Sequence, residues 1–146
     1  MRPLLLILAS ATWLSAVTPA QVDAIIRVES AGNPAAVGRL GERGLCQFFP
    51  AAWADTSVWR RAHGLAVYPY SLAHDLEAGY TYAISWLTLN EDRLRAALGR
   101  PPTIGELYAA HQLGFAGFRA KGFDLSRCPT ITRVVAARLA KVTRTK

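Results

Sequence analysis

Apolar positions recur along the chain with helical spacing. Val22, Ile25 and Ile26 fall at i, i+3 and i+4, and Glu29 takes the i+7 place, the single-face pattern of an amphipathic helix. Gly32 stops that helix and Asn33-Pro34 reinforces the stop. Residues 35–49 are rich in glycine and read as loop or short β-turns. Ala51 to His63 is expected to be helical, with Trp53 and Trp59 in it, and Gly64 to Pro69 is a break. Leu72 to Leu89 predicts a strong helix with Leu72, Leu76, Tyr80, Ala83 and Leu87 on one stripe. Glu91 to Leu98 reads as a further helical piece, ended by Gly99-Arg100-Pro101-Pro102. Thr103 to Leu113 opens on the capping-box pattern Thr103-x-x-Glu106, and Gly114 and Gly117 interrupt the helical pattern beyond it. After Cys128-Pro129, residues 130–142 form a last, basic amphipathic helix. No internal repeat, low-complexity linker or clear strand is visible, so the class is mainly α.

The start of the chain has a different character. Met1-Arg2 is a short positive start, Leu4 to Ala16 is mostly apolar, and the small residues Thr18 and Ala20 flank Pro19. This is the layout of a secretory signal peptide. Cleavage after Ala20 leaves a domain of residues 21–146. An uncleaved anchor or a buried first helix are the alternatives, although the apolar run falls short of the about 20 residues that span a bilayer.

Size and charge narrow the classes. The 146 residues suit one domain, and 51% hydrophobic against 18% charged residues supports a true core. A disordered chain, a collagen-like chain and a coiled coil are excluded. The net charge is +7, which calls for an anionic partner such as nucleic acid, a membrane surface or an acidic polymer. No zinc site is expected from two cysteines, and His63, His74 and His111 lack metal-ligand spacing. No cofactor is expected either. The last helix carries Arg133, Arg138 and Lys141, with Arg144 and Lys146 beyond. It could meet phosphates, but a solvated face that also attracts anionic cell wall is the simpler account.

Export would also change the meaning of Cys46 and Cys128. In an oxidising compartment they could bridge, closing a loop of about 80 residues for roughly 2–4 kcal/mol. Otherwise both are buried thiols acting as small hydrophobes.

The chemically informative residue is Glu29. It ends an apolar stripe, and so faces the core or a cleft at its edge. It also lies in the last turn, where the helix dipole disfavours a second negative charge. Desolvation and dipole both favour the neutral carboxylic acid, the form a general acid needs. A salt bridge with Arg43 or another arginine is the competing account.

Three blocks decide between them. Glu29-Ser30-Ala31-Gly32-Asn33-Pro34-Ala35 is followed by Gly44-Leu45-Cys46-Gln47-Phe48-Phe49-Pro50-Ala51, and much later by Tyr108-Ala109-Ala110-His111-Gln112-Leu113-Gly114. From about Gln21 to Phe118 this ordered set resembles the soluble lytic transglycosylase family of the lysozyme-like superfamily. The family carries E-S-x-x-N-P-x-A, then G-x-x-G-L-M-Q-x-x-P, then A-Y-N-x-G. The third block is looser, and its A-H-x-L-G form looks like the phage-associated branch.

The resemblance implies a lysozyme-like helical domain with a short β-turn and loop region beside the cleft. It implies an enzyme that binds peptidoglycan glycan strands and cleaves between N-acetylmuramic acid and N-acetylglucosamine. Glu29 would be the one catalytic carboxyl, acting as acid and then as base, and the product would be a 1,6-anhydro end. Ser30 would orient Glu29 or bond the N-acetyl group, unless it is only a polar helix end. Gln47 would line the cleft and bond sugar. Tyr108 is the best further cleft candidate, and the third block adds His111 and Gln112 as substrate-binding residues. A monomer without metal, cofactor or nucleic acid is expected, in the periplasm or outside the cell.

The sequence departs from the family pattern at several points. Cys46 stands in place of methionine. His111 and Gln112 stand in place of tyrosine and asparagine, and the family tyrosine bonds the catalytic glutamate. A histidine could replace it through a ring nitrogen, but a charged one would favour the ionised carboxylate; a structural histidine is the alternative. Asp75 reads as a helix cap or a structural contact. Glu42 offers a second carboxylate, which would make the protein a hydrolytic muramidase if it activated water across roughly 6.5–9.5 Å; an ion pair with Arg43 is the plainer reading. Tyr68, Tyr70, Tyr80, Tyr82, Phe115 and Phe118 could stack on sugars, whereas Trp86 and Tyr80 suit the core better. A non-catalytic basic wall-binding module on the same fold is the third possibility.

Overall fold

The computed structural model describes residues 17–143, which form six α-helices joined by short loops. In order these are α1 (Pro19–Ser30), α2 (Pro50–Ala62), α3 (Leu76–Leu98), α4 (Ile104–Leu113), α5 (Phe115–Ala120) and α6 (Thr130–Thr143). The mainly-α expectation holds. Among the described residues there is no strand, only isolated antiparallel bridges pairing Val37 with Arg43 and Arg43 with Phe48.

Local signals set most helix ends. Thr18 and Gln21 form a reciprocal capping box at the start of α1, with Pro19 in the first turn, the position where its missing N–H costs nothing. That box straddles the signal-peptide boundary placed after Ala20; residues 1–16 of that segment lie outside the described residues. Val22, Ile25 and Ile26 are the buried stripe of α1, as the periodicity requires. Asp75 caps α3 by accepting a hydrogen bond from the Ala78 amide at 2.8 Å. Thr103 and Glu106 cap α4 reciprocally, and Arg100 holds the same glutamate at 2.7 Å.

The long helix differs from expectation in two ways. Leu72 to Leu89 and Glu91 to Leu98 are not two pieces: α3 runs unbroken from Leu76 to Leu98, while Tyr70–His74 is a 3-10 turn before it. Asn90 is fully buried and Glu91 nearly so, with Arg95 closing an ion pair to Glu91 one turn on at 2.7 Å. The two polar residues at the expected division are thus absorbed into the interior. The expected stripe is also rotated. Leu72 and Leu76 are 39% and 61% exposed, and Ala78, Tyr82, Trp86 and Leu94 carry the burial with Ala83 and Leu87.

The core sits where α4 meets its neighbours. Residues Ile104 to Ala110 are all buried, because α4 packs against α3, α5 and α6 at once. Gly105 allows the closest approach, since a Cβ there would lie 3.1 Å from that of Ala136 in α6. A second cluster joins α2 to α3. Trp53 stacks on Tyr82 with ring centroids 3.7 Å apart, and Phe48 meets Trp53 edge-on at 5.2 Å. Tyr82 and Phe118 are fully buried, which removes both from the list of sugar-stacking candidates.

Cys46 and Cys128 are free, buried thiols, so the possible disulfide is not formed. Cys46 lies in the loop, buried and within electrostatic reach of Glu29, and the Cys128 thiol donates to the Asp124 carbonyl at 3.5 Å. The two serve different packing sites. No helix among the described residues is long and apolar enough to cross a membrane.

Candidate active site

Glu29 stands in the last turn of α1. The helix ends immediately after it, with Ala31 in the left-handed region (φ 54°) and its amide bonded to Arg27 O. This abrupt end leaves the carboxylate at an edge, its side chain 16% exposed, rather than inside the core with Ile25 and Ile26. No ion pair with Arg43 forms. Arg43 instead lies over the Tyr70 ring at 5.2 Å.

Helix α4 supplies the groups behind the carboxylate. His111 Nε2 is 3.6 Å from Glu29 Oε1, with the histidine side chain only 7% exposed. One turn earlier the Tyr108 hydroxyl engages the same carboxylate. Burial, and then the charge and hydrogen bond of Glu29, hold this phenol well above its usual pKa, so it stays a donor at any working pH. Tyr108 is buried. Its place is therefore behind the acid and not on the sugar-facing wall where it was expected. His111 is itself held from α3, where the Trp86 indole N–H donates to His111 Nδ1 at 3.0 Å. Trp86 is in the core as expected, but this second task was not visible in sequence. Nothing in the local pattern links positions 25 residues apart; only the packing of α3 on α4 brings them together.

The 32–49 loop forms the other side. The Cys46 thiol is held far above its usual range by complete burial and then by the charge of Glu29, so it is an uncharged group within electrostatic reach of the acid. Gln47 follows in the left-handed region (φ 50°), a backbone state that costs a non-glycine residue energy and clusters at functional sites. Its amide nitrogen donates to Gly44 O at 2.9 Å and Ala36 O at 3.4 Å. Two carbonyl neighbours fix which end is nitrogen, so Gln47 keeps its carbonyl oxygen free as an acceptor. Gly44 has φ +78°, and a Cβ there would run into the carbonyl oxygen of Ala73; this turn needs glycine.

The remaining candidates are placed differently. Ser30 donates to Ile26 O at 3.2 Å, bonding its own helix and leaving its oxygen to accept. Gln112 is exposed and accepts from Thr132 of α6 at 2.6 Å, which ties α4 to α6. Glu42 folds onto its own turn and accepts from the Leu40 amide at 2.9 Å, in place of the ion pair with Arg43. Tyr80 donates to Asp23 at 3.0 Å, and Tyr70 donates to Phe48 O at 2.8 Å. Phe115 packs on Phe123, and Tyr68 is half-buried, its carbonyl accepting from Trp53 at 2.9 Å. A cavity of about 290 Å³ lies along the end of α1, lined by Ile26, Ala31, Gly32, Leu45 and their neighbours. No group of three or more His, Cys, Asp or Glu side chains able to hold a metal occurs among the described residues.

An acid with a phenol donor and a histidine ring behind it and a polar loop beside it is equipped for proton transfer. The comparisons with known proteins agree with that chemistry. The family model of the transglycosylase SLT domain matches residues 7–95. The match takes in Glu29, the loop with Gln47, and most of α3; it begins inside the stretch read as a signal peptide and ends before Tyr108 and His111. No curated protein and no solved structure matches the chain. With more than half its length matched, the chain belongs to the transglycosylase SLT domain family, and its function in general is of the lytic-transglycosylase type, on peptidoglycan.

Proposed function

We propose that the protein cleaves the β-1,4 bond between N-acetylmuramic acid and N-acetylglucosamine without water, and that Glu29 performs both proton transfers. The protonated carboxyl gives its proton to the bridging oxygen as the bond to C1 breaks. The substrate's own N-acetyl group stabilises the cation that forms at C1. Glu29, now a carboxylate, takes the proton of the C6 hydroxyl, and O6 closes on C1 to leave a 1,6-anhydro end. One carboxyl group suffices, in contrast to the two-carboxylate scheme of most glycosidases.

The observation that carries this reading is the convergence of Tyr108 and His111 on Glu29 at the open end of α1. The Tyr108 hydrogen bond fixes the orientation of the carboxylate after its proton has left, and the His111 ring flanks it at 3.6 Å. The occupation of Glu42 within its own turn also supports a single-carboxyl mechanism. Gln47, with its free carbonyl, is proposed to accept from a sugar hydroxyl or acetamido N–H, and Ser30 to accept beside it. The net charge of +7 suits a polymer that bears stem-peptide carboxylates, and the apolar start of the chain is proposed to export it to the periplasm or beyond.

Mass spectrometry of peptidoglycan digests tests this. Anhydro ends, lighter by one water than reducing ends, are expected with the wild type and none with Glu29→Gln. Reducing ends from the wild type would make the protein a hydrolase and overturn the proposal.

A further inference from the structure

An indole N–H can only donate a hydrogen bond. The imidazole nitrogen that receives it must therefore offer a lone pair. Trp86 Nε1 lies 3.0 Å from His111 Nδ1, so Nδ1 carries no hydrogen. A histidine that accepts at Nδ1 holds its one hydrogen on Nε2 and bears no charge. Nε2 is the nitrogen that faces Glu29 Oε1 at 3.6 Å. Adding a second proton would set two N–H groups against each other in a site where the His111 side chain is 7% exposed and Trp86 is buried, and would leave the indole N–H without its acceptor.

We infer that Trp86 is a positioning residue that locks His111 in its Nε2–H tautomer, so that His111 turns an N–H dipole toward Glu29 without placing a positive charge beside it. The inference rests on the reading of Glu29 as the acid. It resolves the difficulty raised by a histidine in this place, since an imidazolium at such a distance would favour the ionised carboxylate and drain the form that donates. Each group around the pair fits the same requirement. From α4, Tyr108 faces Glu29 as a phenol, and its ring lies 6.2 Å from that of His111. From the loop, Cys46 faces Glu29 as an uncharged thiol. From α3, Trp86 brings an N–H and no charge. Trp86 donates to His111 Nδ1, which leaves the Nε2 hydrogen directed at the carboxylate 3.6 Å away.

The test begins on the unaltered protein. Long-range proton–nitrogen NMR identifies the His111 tautomer among three histidines, with His111→Gln assigning the signal. Nδ1 is expected to remain without hydrogen from about pH 5 to 8, where a free imidazole titrates. An imidazolium signal anywhere near the middle of that range overturns the inference without any variant having to fold. Trp86→Phe keeps an aromatic ring and removes the donor. His111 should then take a second proton at the acid end, and the alkaline limb of the pH–rate profile should move to lower pH by roughly 1 unit or more. Adding His111→Gln to Trp86→Phe, which puts at this position an amide that takes up no proton, should restore the wild-type limb. A role in packing alone would lower the rate at every pH and leave the limb in place, and that outcome also sinks the proposal. Failure of the underlying reading looks different: Glu29→Gln would still release anhydro ends, whatever the tautomer of His111.

Discussion

The two sides of Glu29 are built by opposite means. On the loop side, polar groups find partners nearby in sequence. Gln47 bonds Gly44 and Ala36, Glu42 bonds Leu40, and Asn33 bonds Ala35. On the helix side, partners are distant. Trp86 reaches His111, and His111 and Tyr108 reach Glu29 from another helix. Local bonding makes the loop a self-contained unit that can present a strained Gln47. Distant bonding makes the helix side a consequence of the whole core. The loop is therefore expected to determine what is bound, and the helices to determine how the acid behaves.

The largest effect should come from the residue the two sides share. Glu29→Gln keeps the shape and the amide can still meet Tyr108 and His111, but it cannot give up and regain a proton. A loss of roughly 10²–10⁴-fold in turnover is expected, with circular dichroism and the unfolding midpoint nearly unchanged. Retained turnover would mean that neither side serves an acid at position 29.

Gly44→Ala should break the loop side alone. The backbone there is left-handed and a methyl group meets the Ala73 carbonyl. Strain of about 1–3 kcal/mol and overpacking of similar size are expected together. Denaturant unfolding should show the loss of stability, and affinity for glycan fragments should fall with it because Gln47 loses its anchor. An intact KM in a destabilised protein would separate the turn from substrate binding. Tyr108→Phe should do the reverse. It removes only the hydroxyl on Glu29, so a rate loss of about tenfold, equivalent to about 1–2 kcal/mol, is expected with KM little changed.

The same contrast explains what could be read from the sequence. The apolar stripe of α1, the stop at Gly32, and the caps at Asp75 and Thr103 are local devices, and each appears where the pattern puts it. Glu29 stands out because a carboxylate breaks that local pattern. The loop block is legible for the same reason, since several of its bonds, Gln47 to Gly44, Leu40 to Glu42 and Ala35 to Asn33, close within three residues. Helix α4 is legible as a capped helix but the facing of its side chains is not, because the segment Ile104 to Ala110, buried throughout, has no polar face to set its phase. Tyr108, expected on the sugar-facing wall, consequently lies behind the acid, and Gln112, expected in the cleft, is held by Thr132 of α6. In α3, the expected division between Leu89 and Glu91 does not occur, because tertiary packing accepts Asn90 and Glu91 as buried polar residues, which sequence cannot show. The link from Trp86 to His111 has no local signature at all.

The smallest expected effect concerns the local device on which the helix side rests. The start of α4 is fixed by Glu106, whose carboxylate accepts from the Thr103 amide at 2.7 Å and from Arg100 at 2.7 and 3.0 Å. Burial alone would raise its pKa, but the Arg100 and Thr103 hydrogen bonds and the Arg100 charge outweigh it and hold the carboxyl below its usual range. A carboxyl whose pKa is lower folded than unfolded stabilises the fold above its unfolded value of about 4.3. That contribution is lost as pH falls through the folded value. Glu106→Gln can retain the capping box, because glutamine serves at that position, and removes only the charge. The wild type should be the more stable protein at neutral pH, and the two unfolding curves should converge as the pH drops below the carboxylate range. Curves that stay parallel into strong acid would show that the capping geometry, and not the charge, holds α4 and with it Tyr108 and His111 against Glu29.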